Sequence, residues 1–206
     1  MNKCANFNSE SKISDLIYIF DDFLDADKCD ELIQWHKDNP DLHSQLMGNF
    51  GDGSETKVNL DFIRCIEATM PLDHPLSDVL TDVCLRAYQK VTESGCSPPQ
   101  SDIFINGHGV KYYKKDEGVF ETHVDQHAGP TVTRLFAVVI YYNDIEEGGE
   151  TIFPYLGIGV KPKKGRVLIF PCNWMFPHKG CTPISEDKYV TTMFIDFVPE
   201  DIPRPS

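Results

Sequence analysis

The chain has 206 residues, 41% of them hydrophobic and 11% aromatic, which suits one domain with a sizeable core. Its formal net charge of −13 argues against a broad phosphate-binding face, so no nucleic-acid partner is expected. No apolar run approaches the roughly 20 residues needed to span a bilayer, and the opening MNKCANFNSESK lacks the apolar stretch of an export signal. No membrane partner is therefore expected, and the cytoplasm is the expected compartment. Seven cysteines are scattered without a CxxC pair, which reads as reduced thiols, with Cys29 and Cys84 serving as small hydrophobes.

In chain order, residues 1–15 are polar, and LIYIFDDFL (16–24) reads as a first strand. DADKCDELIQWHKDNP (25–40) follows as a helix, with Cys29, Leu32, Ile33 and His36 at helical spacing and Pro40 beyond its end. Residues 41–60 carry GNFGDGSET and read as a glycine-rich loop, suited to closing over a substrate as a lid. VLTDVCLRAYQKVTESG is the clearest helix: Leu80, Val83, Cys84, Ala87, Tyr88 and Val91 form one stripe, Ser77 is placed to cap its start and Gly95 to end it. From residue 102 onward the chain is a series of short β-rich runs: FINGHGVKYYKK, VFETHVD, TRLFAVVIYY, ETIFPY, IGVKPKK, GRVLIFP and KYVTTMFIDF. The expected architecture is mainly β with α: a double-stranded β-helix, or cupin-like jelly roll, supported by N-terminal helices. The whole chain, 1–206, is expected to be a single domain. Within it, 16–100 forms the supporting strand and helices and 101–198 the catalytic jelly roll.

Within VFETHVD, His123 and Asp125 lie two apart and share a face if the strand continues. His127 and His178 are the candidates for a third metal ligand. His127 is followed at once by AGP, which turns the chain, whereas His178 sits beside a strand end and can return to the first pair in a jelly roll. Two histidines and a carboxylate on one face make the facial triad of non-haem Fe(II) oxygenases. Lys188 lies ten residues beyond His178, at the start of a strand on which Val190, Thr192 and Phe194 share its face. A cation deep in a barrel needs a counter-anion, and the distal carboxylate of 2-oxoglutarate is one.

HxD, a distal His and a Lys ten beyond it resemble the Fe(II)/2-oxoglutarate dioxygenases of the prolyl 4-hydroxylase type. RLFAVVIYYNDIEEGGETIFP and GVKPKKGRVLIF resemble the family's central stretches, and DDFLDADKCDELIQW its opening. The resemblance implies Fe(II) held by His123, Asp125 and His178, 2-oxoglutarate as cosubstrate, O₂, and ascorbate as reductant. It implies cosubstrate contacts from Lys188, Tyr113 and Tyr141, with Thr151 and Thr192 as further hydroxyls, and places Arg134 and Trp174 toward the substrate. Tyr141, Thr151 and Thr192 read equally as structural residues. The implied reaction is hydroxylation of a C–H bond, the favoured substrate a prolyl residue in a peptide or protein. Hydroxylation of another side chain or small molecule, or a non-catalytic metal-binding module, are the alternatives. Phe194 stands where the collagen-type enzymes have Trp.

Overall fold

The computed structural model of the chain describes residues 13–46, 59–95 and 102–198. The glycine-rich segment 48–54, expected to act as a lid, lies outside the described residues, as do Cys4 and Cys96. Strand β1 (Tyr18–Phe20) is shorter than its apolar run, because Asp22 turns the chain at φ +52° and the amides of Phe23 and Leu24 donate instead to the Gly165 carbonyl. Helix α1 (Ala26–Asp38) buries Cys29, Leu32 and His36, one stripe at helical spacing. Three very short strands that patterning does not announce follow: β2 (His43–Gln45), β3 (Ile63–Arg64) and β4 (Ile66–Thr69). Residues 43–45 are therefore a strand rather than part of a loop.

Helix α2 (Pro75–Glu93) starts earlier than its stripe suggests. Pro75 occupies the first turn, where its missing N–H costs nothing. His74 is the cap, its Nδ1 accepting from the Leu76 amide, while Ser77 lies inside the helix and donates to the Pro71 carbonyl. Gly95, at φ +96°, follows the end as expected.

The β region runs β5 (Ile103–Asn106), β6 (Gly109–Tyr113), β7 (Val119–His123), β8 (Arg134–Tyr141), β9 (Thr151–Phe153), β10 (Ile158–Val160), β11 (Val167–Pro171), β12 (His178–Gly180) and β13 (Lys188–Phe197). It forms a jelly roll of two antiparallel sheets. The larger is ordered β1-β11-β8-β13-β6-β4-β2, with β5 also on β13; the smaller is ordered β10-β9-β12-β7-β3.

Two cores flank the larger sheet. Val138, Ile140, Met193 and Ile195 pack outward against α1 and α2, around Leu32, Leu80 and Val83. Ala137, Val139, Tyr141, Val190 and Phe194 point inward, against Phe153 and Phe176. Strands buried on both faces read as continuous apolar runs, which is why RLFAVVIYY does not alternate. Among the described residues, no helix is long and apolar enough to cross a membrane, a statement that leaves β-barrels aside.

Gly107 separates β5 from β6 at φ +92°, with its missing Cβ facing the Thr192 carbonyl of β13 at 2.5 Å. Gly107→Ala meets both a disfavoured backbone region and the neighbouring strand. It should lower stability by about 1–3 kcal/mol in chemical denaturation, and an unchanged midpoint would contradict the packing described.

Candidate active site

His123 closes β7 and His178 opens β12, and the two are direct partners across the antiparallel pair. Their rings lie 4.3 Å apart. The pairing is irregular: Phe120 faces Gly180 while His123 faces His178, so four residues of β7 span what three of β12 span. Phe120 and His123 are three apart and would point to opposite faces of a regular strand. The extra residue bulges β7 and brings both side chains into the cavity between the sheets. Phe120 then stacks on His123, centroids 3.6 Å apart and planes within 12°.

Asp125 is not on the strand. β7 ends at His123 and the chain bends, a correction to the expectation that His123 and Asp125 share one strand face. The bend is fixed from several sides. Gln126 donates through its side chain to the carbonyls of Val132 and Arg134, and its amide to Cys172. Arg134 donates to the Asp125 carbonyl at 3.0 Å, its guanidinium 3.5 Å above the Phe194 ring. His127 is exposed, its amide bound to the Thr131 hydroxyl, and lies outside the cluster.

The cluster has the chemistry of a metal site. His123 Nδ1 lies 2.7 Å from the Glu121 carbonyl and His178 Nδ1 3.1 Å from that of Phe176. A carbonyl only accepts, so each Nδ1 carries a proton and each Nε2 is the nitrogen left to face the cluster. Those Nε2 atoms lie 3.6 Å and 3.4 Å from Asp125 Oδ1 and Oδ2, too long for strong hydrogen bonds. Asp125 Oδ2 is buried with no hydrogen-bond partner. One ligand atom from each of the three residues falls within 4.8 Å of the others. Burial alone would raise the Asp125 carboxyl, but His178, His123 and Arg134 outweigh it and hold the group well below the usual carboxylate range. Burial pushes His178 down to about 4, which keeps its ring neutral at pH 7. Two imidazoles and one carboxylate with an orphaned oxygen fit a divalent cation on one face.

The cavity beside this cluster holds about 60 Å³ and is lined also by Tyr113, Thr151, Lys188 and Thr192. A larger outer groove, about 630 Å³ along α1 and α2, contains no such cluster; chemistry rather than size singles out the inner cavity. Lys188, at the start of β13, pairs in register with Tyr113 of β6. Its Nζ donates to the Gly149 carbonyl at 2.8 Å and lies 5.1 Å from the Tyr113 ring and 5.8 Å from that of Tyr141. Among the described residues no acidic side chain pairs with it, and burial lowers it to about 8. Tyr141 donates to the Thr151 hydroxyl at 2.7 Å, so these two are already each other's partners. Trp174 is 77% exposed in the turn between β11 and β12 and does not line the cavity. Phe120, Val139 and Lys111 do line it, and sequence patterning missed them. For Lys111 the signal was there: it lies two residues from Tyr113 on the same strand face.

Residues 108–196 match the family model described as the 2OG-Fe(II) oxygenase superfamily. An Arabidopsis thaliana protein named Probable prolyl 4-hydroxylase 9 is 28% identical over 105 residues, which take in 37% of this chain and 36% of that protein. The chain spans less than two thirds of the length of the curated relatives it matches. A viral collagen prolyl hydroxylase from Paramecium bursaria Chlorella virus-1, solved with 2-oxoglutarate, superposes with a TM-score of 0.62 at 22% identity, over 89% of this chain and 97% of that one. A Trichoplax adhaerens prolyl hydroxylase, solved with a hypoxia inducible factor peptide fragment, gives 0.64 at 16% identity, over 88% and 84%. These structural likenesses establish the shared jelly-roll fold. The family model runs from β6 to β13 and encloses all three residues of the metal-fitting cluster. Residues 108–196 thus match the 2OG-Fe(II) oxygenase superfamily, and the chain resembles the prolyl 4-hydroxylases among its relatives.

Proposed function

We propose that this protein is an Fe(II)- and 2-oxoglutarate-dependent dioxygenase that hydroxylates a prolyl residue in a peptide or protein. The observation that carries this reading is the β7–β12 register, which sets His123 opposite His178 around a buried Asp125 oxygen with no partner of its own. The family implies Fe(II), 2-oxoglutarate and O₂. Ascorbate as reductant is part of the proposal. When bound, iron and cosubstrate supply the oxidising chemistry: 2-oxoglutarate gives succinate and CO₂, and one oxygen atom enters the substrate C–H bond.

His123, Asp125 and His178 would hold the ion. The carbonyls of Glu121 and Phe176 fix both ring tautomers, and Arg134 fixes the backbone of Asp125. The Lys188 ammonium would receive the far carboxylate of the cosubstrate, with Tyr113 beside it. Thr192 and the Tyr141–Thr151 pair complete the inner wall. Val139, Val190 and Phe194 keep that wall apolar and exclude water. Arg134, at the rim, and exposed Trp174 are assigned to the substrate side. Residues 16–100 support the jelly roll 101–198 as one catalytic unit, because α1 and α2 share a core with its larger sheet. A peptide substrate is supported by the names of the relatives and by the peptide bound to the Trichoplax protein. The five described cysteines are free thiols, which supports a reducing compartment such as the cytoplasm.

The test is mass spectrometry of proline-containing peptides incubated with protein, Fe(II), 2-oxoglutarate and ascorbate. Proline should gain the mass of one oxygen atom, and the gain should vanish with a chelator or in His123→Ala. Turnover of free amino acids with none on any peptide would refute the peptide assignment.

Lys188→Met separates binding from stability. Loss of a buried charge-assisted contact should weaken 2-oxoglutarate binding at least about tenfold, and Tyr113→Phe should weaken it less. The ligand-free variant should also be more stable than the parent by about 1–3 kcal/mol at pH 7, because a buried cation without a carboxylate partner is removed. The folded value of Lys188, about 8, lies below its ordinary 10.5. The unfolded chain therefore binds more protons between those values, and the parent's stability rises with pH across that window. The advantage of the variant should be greatest below pH 8 and shrink toward 10.5. Denaturant midpoints that do not differ below pH 8 would contradict the burial argument.

A further inference from the structure

Lys111 has no part in the assignments above, yet it lines the same cavity. On β6 it faces Val190 of β13, as Tyr113 faces Lys188. It therefore lies one rung, about 7 Å, from the Lys188–Tyr113 rung, displaced in the direction of Thr192 and Phe194. At that end of the cavity Phe194 lies under Arg134.

The ammonium is held loosely. Lys111 is 8% exposed. Its Nζ lies 3.9 Å from Oε1 of Glu67, its register partner on β4, and makes no hydrogen bond to any described residue. Glu67 fills the space left by the missing Cβ of Gly109, so its carboxylate is fixed by packing. An ammonium has three donors, and the Glu67 carboxylate, at 3.9 Å, is too far to accept from any of them. Solvated cross-strand pairs brace many sheets. Here the side chains are only 10% and 17% exposed, and Lys111 lines the cavity beside the metal-fitting cluster.

The cosubstrate does not explain this cation. Its far carboxylate is assigned to Lys188, and its body runs from there to the metal cluster. The groups that act on Asp125 are His178, His123 and Arg134. Lys111 instead reaches sideways toward β4, to the carboxylate of Glu67.

We infer that Lys111 is a specificity-determining residue that receives a carboxylate carried by the prime substrate: an acidic side chain flanking the hydroxylated residue. This rests on the oxygenase reading of the cavity. Glu67 tethers the ammonium between turnovers, and the incoming carboxylate takes its unused donors. With a net charge of −13 the protein as a whole repels such a peptide, so the recognition is a short-range contact that added salt weakens little.

The test compares matched peptides with Glu or Gln beside the target proline, with Fe(II) and 2-oxoglutarate present. The wild-type protein should favour the Glu peptide in kcat/KM by about tenfold, and Lys111→Gln should bring the ratio near one. Glu67→Gln keeps the ammonium and removes its competitor, so the preference should persist or grow; this second variant also covers poor folding of the first. Equal use of both peptides by the wild type overturns the Lys111 assignment alone. So does a preference that survives Lys111→Gln, or a 2-oxoglutarate KM that rises in that variant as much as the peptide KM. Oxidation of no peptide at all by the wild type defeats the peptide-hydroxylase reading, and the Lys111 assignment with it.

Discussion

The pairing of β12 with β7 carries the site. In an antiparallel pair a slip of one residue turns every side chain to the other face. His178 meets His123 only in the observed register, and His123 shares the cavity with Phe120 only because β7 carries one extra residue there. Several contacts hold that register. β12 is paired on its other side with β9, through Lys179 with Ile152 and Gly180 with Thr151. The Lys179 ammonium grips both oxygens of Glu121 on β7, at 2.8 Å and 2.9 Å. Phe62 meets the edges of Phe120 and His123, bringing the short β3 region against the same place.

Around this register the interior carries charge that the protein does not itself neutralise. Asp125 keeps one oxygen without a partner, and Lys188 is buried beside two tyrosine rings with only a carbonyl to bind. The buried lysine costs stability in the ligand-free chain, and each group suits a partner in the proposed reading: a cation for the carboxylate, an anion for the lysine. Stability is supplied elsewhere. The helices and the outer face of the larger sheet form an apolar core remote from the cavity, with Leu80, Val83, Val138, Ile140 and Met193 fully buried. The separation follows from strand alternation, since β8 and β13 give one face to each task.

Much of this was legible in the sequence where burial is two-sided or chemistry is dense. β8 and β13 stand out because both faces are apolar, and the spacing of His123, Asp125, His178 and Lys188 points to one pocket without any coordinates. What escaped has physical causes. β2, β3, β4 and β12 span two to four residues, too few for a period to register. The start of α2 is set by Pro75 and a histidine cap, while Ser77 is the more familiar capping residue type. The β7 bulge is a property of the pairing of two distant strands. Lys111, in GVKYYKK, looks like one more surface lysine until the sheet turns it inward.

The most direct test of the central claim is a crystal structure of the protein with Fe(II) and 2-oxoglutarate under anaerobic conditions, with the metal located by anomalous scattering at the iron edge. A single peak is expected about 2 Å from His123 Nε2, His178 Nε2 and a carboxylate oxygen of Asp125, with the far cosubstrate carboxylate against Lys188. A peak that involves His127, or that lies away from Asp125, would contradict the account.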